Sequence, residues 1–216
     1  MAWSMKKIEL LTRILCDIRP ERPVDAAYLY CQTRENQESV FQAARVLLRH
    51  SFAQEIWILN TTEKGGYPGF SDWQRQLLDM GLDRNRIVGV TDPETSGLHT
   101  RIESQALIRF AKKRGCRSLY VVAPPFHQLR AFMTAVTLAL EEFPELRIYS
   151  FPGSALSWQA EVTHSQGKLK ADRRSLIHEE LLRIAAYQDK GDLALFDPVL
   201  QYLNQRDECA KKRKNG

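Results

Sequence analysis

The chain has 216 residues, 44% hydrophobic and 26% charged, which suits a single folded domain with a sizeable core and excludes a disordered chain. Its net charge is +5, but Lys211, Lys212, Arg213 and Lys214 supply four of those charges. The rest of the chain therefore lacks the basic excess that a nucleic-acid partner requires.

In chain order, the N-terminal stretch "MAWSMKKIELLTRILCDIRPERP" is interrupted by Lys6, Lys7, Glu9, Arg13 and Asp17, so no membrane span or signal h-region is expected there. Leu10, Leu11, Ile14 and Leu15 recur at helical spacing. Residues 1–22 are expected to carry an amphipathic helix that packs on the domain and ends before Pro20. Residues 23–191 then alternate short apolar runs with helical patterns. Strands are expected near 26–31, 56–60, 86–90, 118–123 and 147–151, and helices over 37–50, 71–81, 100–115, 127–143 and 172–191. The polar stretch 152–170 reads as an excursion beside the sheet, and 192–216 as an extension with a basic, frayed tail.

Strands that are near-continuous apolar runs, alternating with helices, predict an α/β fold: a Rossmann-like three-layer sandwich around a five-stranded parallel sheet. With right-handed crossovers the expected order is 3-2-1-4-5. Ligands of such sheets bind beyond the carboxyl ends of the strands, where the order reverses between the first and fourth. Three loops then face the crevice: "QTREN" with Thr33, "TDPETSGLHT" with His99, and "PPFHQLR" with Phe126.

The first strand is followed by no glycine, so the G-x-G-x-x-G turn of an ordinary dinucleotide enzyme is missing. P-loop and G-x-S-x-G motifs are missing as well. Cysteines 16, 31, 116 and 209 form no C-x-x-C pair and stand at no zinc-finger spacing. This predicts a reduced, intracellular protein, with Cys31 and Cys116 in the core. A metal site would need His99, Glu103 and His127 to converge, which nothing in their spacing demands, and no metal is expected.

Two stretches carry chemistry. In "PPFHQLR", His127 and Arg130 lie three residues apart and share a helix face near its N-terminus, where backbone N–H groups and the dipole favour an anion. Arg130 suits bidentate anion binding, and His127 suits proton transfer near neutral pH. In "HTRIES", Thr100 and Glu103 fit T-x-x-E, a capping box that needs no further role; the other reading turns Glu103 into a general base facing the crevice. "EKGGYPGF" (63–70) reads as a mobile loop or lid beside the pocket.

These motifs, in this order, resemble those of the YdcF/SanA/ElyC family, a domain of unknown function found mainly in bacteria. Its "N-T-x-E-N" is matched at Thr100 and Glu103, and its "T-x-x-H-x-x-R-A" at His127, Arg130 and Ala131. Its paired glycines resemble Gly65 and Gly66, and its closing motif resembles Arg173 or Arg174, His178, Glu179 and Tyr187. The likeness covers roughly residues 24–190, with departures at Glu38, Ser71-Asp72-Trp73 and His99. The resemblance implies a Rossmann-like domain with a polar pocket, a tie to envelope metabolism, and S-adenosylmethionine as a conceivable ligand. Lacking the membrane helix of several members, this chain resembles a soluble, cytoplasmic type.

Two classes of function follow. The first is an enzyme of unassigned reaction acting on an anionic or nucleotide-like small molecule. Glu103 and His127 would perform the chemistry, and Thr33, Gly65, Gly66, His99, Thr100, Phe126, Arg130 and Glu179 would bind ligand. The second is a ligand-sensing or interaction protein that keeps the pocket without catalysis.

Overall fold

The computed structural model describes residues 4–91, 97–164 and 169–212. Most of the loop after the third strand (92–96) and the end of the basic tail (213–216) lie outside the described residues. Five strands, β1 (Val24–Leu29), β2 (Ala53–Asn60), β3 (Ile87–Thr91), β4 (Ser118–Val122) and β5 (Arg147–Ser150), form a wholly parallel sheet in the order β3-β2-β1-β4-β5. The expected Rossmann-like architecture is therefore correct. The central strand is buried on both faces: Ala26, Ala27, Tyr28 and Leu29 are all inaccessible to solvent.

Helices α2 (Gln37–Arg49) and α3 (Phe70–Asp79) cover one face, with Phe41 edge-on against Trp73. Helices α4 (Thr100–Arg114) and α5 (Pro125–Glu142) cover the other. Apolar side chains of α5 from Ala131 to Ala139 are buried nearly throughout. The N-terminal helix α1 (Met5–Leu15) buries Leu10 and Ile14 and lies against α5, as its spacing predicts. Among the described residues no helix is long and apolar enough to cross a membrane.

Two elements go beyond the sequence expectations. The polar stretch holds a two-stranded antiparallel hairpin, β6 (Glu161–His164) and β7 (Leu169–Asp172), which leads directly into α6 (Arg173–Asp189). The extension forms α7 (Phe196–Lys212), which buries Val199, Tyr202 and Leu203. This helix closes the β5 edge with side chains. The Tyr202 hydroxyl accepts from the Ile148 N–H and donates to the Leu146 carbonyl, both at 2.7 Å. Arg206 donates to the Ile148 carbonyl, and its guanidinium pairs with Asp17, which accepts from the Ser150 N–H. An edge whose backbone groups are taken cannot recruit another strand.

Candidate functional site

A cavity of about 470 Å³ opens at the carboxyl end of the sheet, between β1 and β4, where the strand order reverses. Its lining includes the segment just after β1, at Cys31, Gln32 and Thr33. The first two turns of α4 and α5 supply Thr100, Glu103, His127 and Arg130. The hairpin adds His164 and Leu169, and α6 adds Arg183 and Tyr187.

The chain brings these groups together for local reasons. Pro125 occupies the first turn of α5, where its fixed φ suits a helix and its missing N–H costs nothing. The helix therefore starts two residues earlier than expected and turns His127 and Arg130 inward; they are 4% and 6% exposed. Gln128, between them, is structural. Its side chain accepts from Ala123 N–H and donates to the Val121 carbonyl and Ser150, holding β4 and β5 at their ends.

The capping box does not form. His99, extended, is the N-cap of α4, and Thr100 is the first helical residue. Glu103 turns away from the cap. One oxygen, Oε1, accepts from the Tyr28 hydroxyl at 2.9 Å and from the Cys31 N–H at 2.7 Å. The side chain lines the cavity and is 3% exposed. Burial pushes the carboxyl up to about 7, against the hydrogen bonds from Cys31 and Tyr28 that favour its charge. Because Oε1 already accepts two donors, the protonated form carries its hydrogen on Oε2.

Arg130 is committed within the protein. Its Nε and Nη2 grip Glu180 at 2.5 and 3.0 Å, and Nη1 donates to Thr100 Oγ1 at 2.7 Å. Burial alone would raise the Glu180 carboxyl, but Arg130 overcomes it and holds the group well below the usual carboxylate range. The expectation of an open anion clamp at Arg130 is thus corrected: the fork is closed by a carboxylate from α6. The expected ligand residue Glu179 is also corrected. Glu180 is buried against the site, whereas Glu179 is half-buried and does not line the cavity.

His127 lies 3.3 Å from Thr100 Oγ1 through Nε2, and 3.4 Å from the Gln32 amide nitrogen through Nδ1. That amide also donates to the Tyr30 carbonyl, which fixes its orientation. Nδ1 is then an acceptor, and Nε2 carries the proton toward Thr100. Burial holds the imidazole well below its ordinary range, and the Arg130 charge adds to this, so His127 is neutral. His99 stands at the exposed mouth, lowered by burial and then by Arg130.

Of the other expected residues, Thr33 lines the cavity and donates to the Thr163 carbonyl, tying the hairpin down. Gly65 reaches the cavity and Gly66 does not. Both have positive φ, 58° and 83°, in a tight turn closed by paired Lys64 and Tyr67 backbone bonds. Tyr67 is buried and donates to the Leu59 carbonyl, so the stretch read as a lid is a pinned turn. Phe126 faces the hairpin instead, edge-on to His164 and packed with Val162 and Leu176. Cys116 is core as expected, but Cys31 lies beyond the last residue of β1 and lines the cavity. Of the closing motif, Arg173 is buried on Asn36 and Ser157 while Arg174 and His178 are exposed.

Sequence reasoning missed Gln32, Tyr67, His164, Glu180 and Arg183. A stripe at 180, 183 and 187 along α6 was the available signal, since such spacing shares a helix face. Among the described residues, no group of three His, Cys, Asp or Glu side chains is placed to hold a metal. Comparison with family models, with curated proteins and with solved structures finds no match to this chain. Fold and cavity define the class: a Rossmann-like α/β domain with a polar pocket at the switch point of its sheet.

Proposed function

We propose that the protein is a cytoplasmic small-molecule enzyme, a divergent relative of the YdcF/SanA/ElyC family, that binds a polar anionic ligand and moves a proton with Glu103. The observation that carries this reading is the Glu103 carboxyl: one oxygen anchored by two donors, a side chain that lines the cavity, and a pKa of about 7. A general acid–base group works best when its pKa lies near the operating pH. Glu103 takes or gives the proton at Oε2. Neutral His127 positions Thr100 through its Nε2–H, and Thr100, already accepting from Arg130, directs its own hydroxyl hydrogen outward. The cavity volume, about 470 Å³, lies within the range of roughly 300–1,000 Å³ typical of small-molecule sites, with room for a ligand as large as a nucleotide.

A non-catalytic sensor is the second reading. It is favoured by the closed Arg130–Glu180 fork and by side chains that already satisfy one another: among the described residues, no buried side-chain nitrogen or oxygen lacks a partner. Thermal-shift screening against nucleotides, sugar phosphates and S-adenosylmethionine tests both. A ligand at about 100 times its Kd adds about 2.7 kcal/mol. For the enzyme, the affinity of a ligand that binds should change with a midpoint near pH 7, Glu103→Gln should remove that dependence, and mass spectrometry should find the ligand altered. A pH-independent affinity and a ligand recovered unchanged would favour the sensor.

A further inference from the structure

We propose that Arg183 is the anion-binding residue of the cavity and that the group it holds is a phosphomonoester. The inference rests on the proposed ligand site and adds a residue and a substrate class to it.

The argument is one of charge. Arg130 and Glu180 neutralise one another in a buried, two-point pair. His127 is neutral. Among the described residues Arg183 is the remaining arginine or lysine of the lining, three positions beyond Glu180 on the same face of α6. Among the described residues its single hydrogen bond is a long one, 3.4 Å from Nη1 to a Glu180 oxygen that already accepts from Arg130. Its Nε and Nη2 have no hydrogen-bond partner among the described residues. The side chain is 27% exposed, half-buried on the wall rather than solvated on the surface. A guanidinium in that state loses water without gaining a carboxylate of its own, and its planar fork matches the oxygens of a phosphate.

The size of the charge favours phosphate over carboxylate. The first turns of α4 and α5 both contribute to the cavity, and each helix N-terminus carries about half a positive charge. With Arg183, and with Glu103 protonated, the wall presents about two positive charges, the charge of a phosphomonoester rather than of a carboxylate. Glu103 is a second, independent sign of a ligand: a carboxyl 3% exposed that lines the same cavity while bonded to Tyr28 and Cys31. Tyr187, four residues beyond Arg183, lines the cavity too and offers a ring to the uncharged part of the ligand. The ligand is therefore a phosphorylated small molecule with a hydroxyl or acidic hydrogen at its other end.

Calorimetric titration of the intact protein tests this with matched probes: ribose 5-phosphate, ribose and ribonate; AMP and adenosine; glucose 6-phosphate and glucose. At least one phosphorylated member should bind more than tenfold tighter than its neutral partner. Arg183→Ala should remove that difference, and Arg183→Lys, which keeps the charge without the fork, should retain part of it. Equal affinity of wild type and Arg183→Ala for the phosphorylated probe overturns the proposal, as does failure of every phosphorylated probe to bind. Ribonate binding as tightly as ribose 5-phosphate overturns the phosphate assignment. The same titrations on Glu103→Gln separate the two readings. If Glu103→Gln loses the pH dependence while Arg183→Ala changes nothing, proton transfer at Glu103 stands and the anion site falls. The reverse pattern keeps Arg183 and removes the role of Glu103.

Discussion

Glu103 shows how one residue type acquires two different meanings. In sequence it completes T-x-x-E, and in space it reaches across to β1 and binds Tyr28 and Cys31. Its raised pKa is a statement about stability. The unfolded carboxyl releases its proton near 4.5, whereas the folded one holds it to about 7. Between those values the folded state binds more protons, so the Glu103 contribution to stability falls as pH rises. The buried imidazole of His127 acts in the opposite sense: it stays neutral while the unfolded chain protonates, and stability falls as pH drops below about 6.5. The two trends partly cancel in the wild type, so the difference from a variant is the clean readout. Glu103→Gln keeps an acceptor for Tyr28 and Cys31 but never ionises. Its stability relative to wild type should rise between pH 4.5 and 7 and level off about 3 kcal/mol higher, from about 1.4 kcal/mol per pKa unit. Denaturant titrations of both proteins at pH 4.5, 6 and 8 check this; parallel curves would mean that Glu103 is an ordinary carboxylate.

Elements explain what single residues do not. Arg130 on α5 and Glu180 on α6 form a clamp between two helices, with His164 of the hairpin donating to the same carboxylate when its Nε2 carries the proton. Truncating Arg130 therefore does more than loosen a ligand. It strands a buried anion, which costs about 3–5 kcal/mol. Arg130→Ala should unfold at markedly lower denaturant, whereas Arg130→Met combined with Glu180→Leu, which removes both charges and keeps the volume, should recover most of the loss. If Arg130→Ala keeps wild-type stability and loses only ligand, Arg130 is the open anion clamp that the motif alone suggests. The turn at Lys64–Tyr67 teaches the same lesson at smaller scale. Its glycines permit left-handed backbone, but the anchor is Tyr67, whose ring packs edge-on against Trp73.

At the scale of the whole molecule, the sheet is finished by the two ends of the chain. Asp17, from the segment after α1, and Tyr202 and Arg206, from α7, together satisfy the outer backbone groups of β5. Asp17 and Arg206 are almost completely buried, with side chains 2% and 1% exposed. Deleting residues 209–216 should change stability by no more than about 0.5 kcal/mol, because it removes none of these partners. Deleting residues 193–216 should cost several kcal/mol or prevent folding, since it bares the β5 edge and leaves Asp17 buried without its cation. Thermal unfolding of both truncations decides it; equal stability would mean that α7 merely rests on the sheet.

The sequence by itself determined the sheet. Runs such as "AAYLYC" and "LYVVA" are apolar on every residue, which suits strands covered on both faces, and right-handed connection then orders them. It also determined that Thr100, Glu103, His127 and Arg130 reach one cavity, because the switch point of such a sheet draws those two helix starts together. It did not reveal the hairpin or α7. The hairpin alternates weakly and is held by Thr33 and Asn36, over a hundred residues away. The value of α7 lies in a tyrosine and an arginine that look like surface residues until an edge strand needs them. Only the tertiary structure decided what each charge is for. Whether Arg130 meets a ligand or Glu180, and whether Glu103 caps a helix or faces a cavity, depends on which distant group lies within about 3 Å and on how much water remains there. Neither quantity is written in local spacing, since both are set by the packing of α6 and the hairpin over the sheet end.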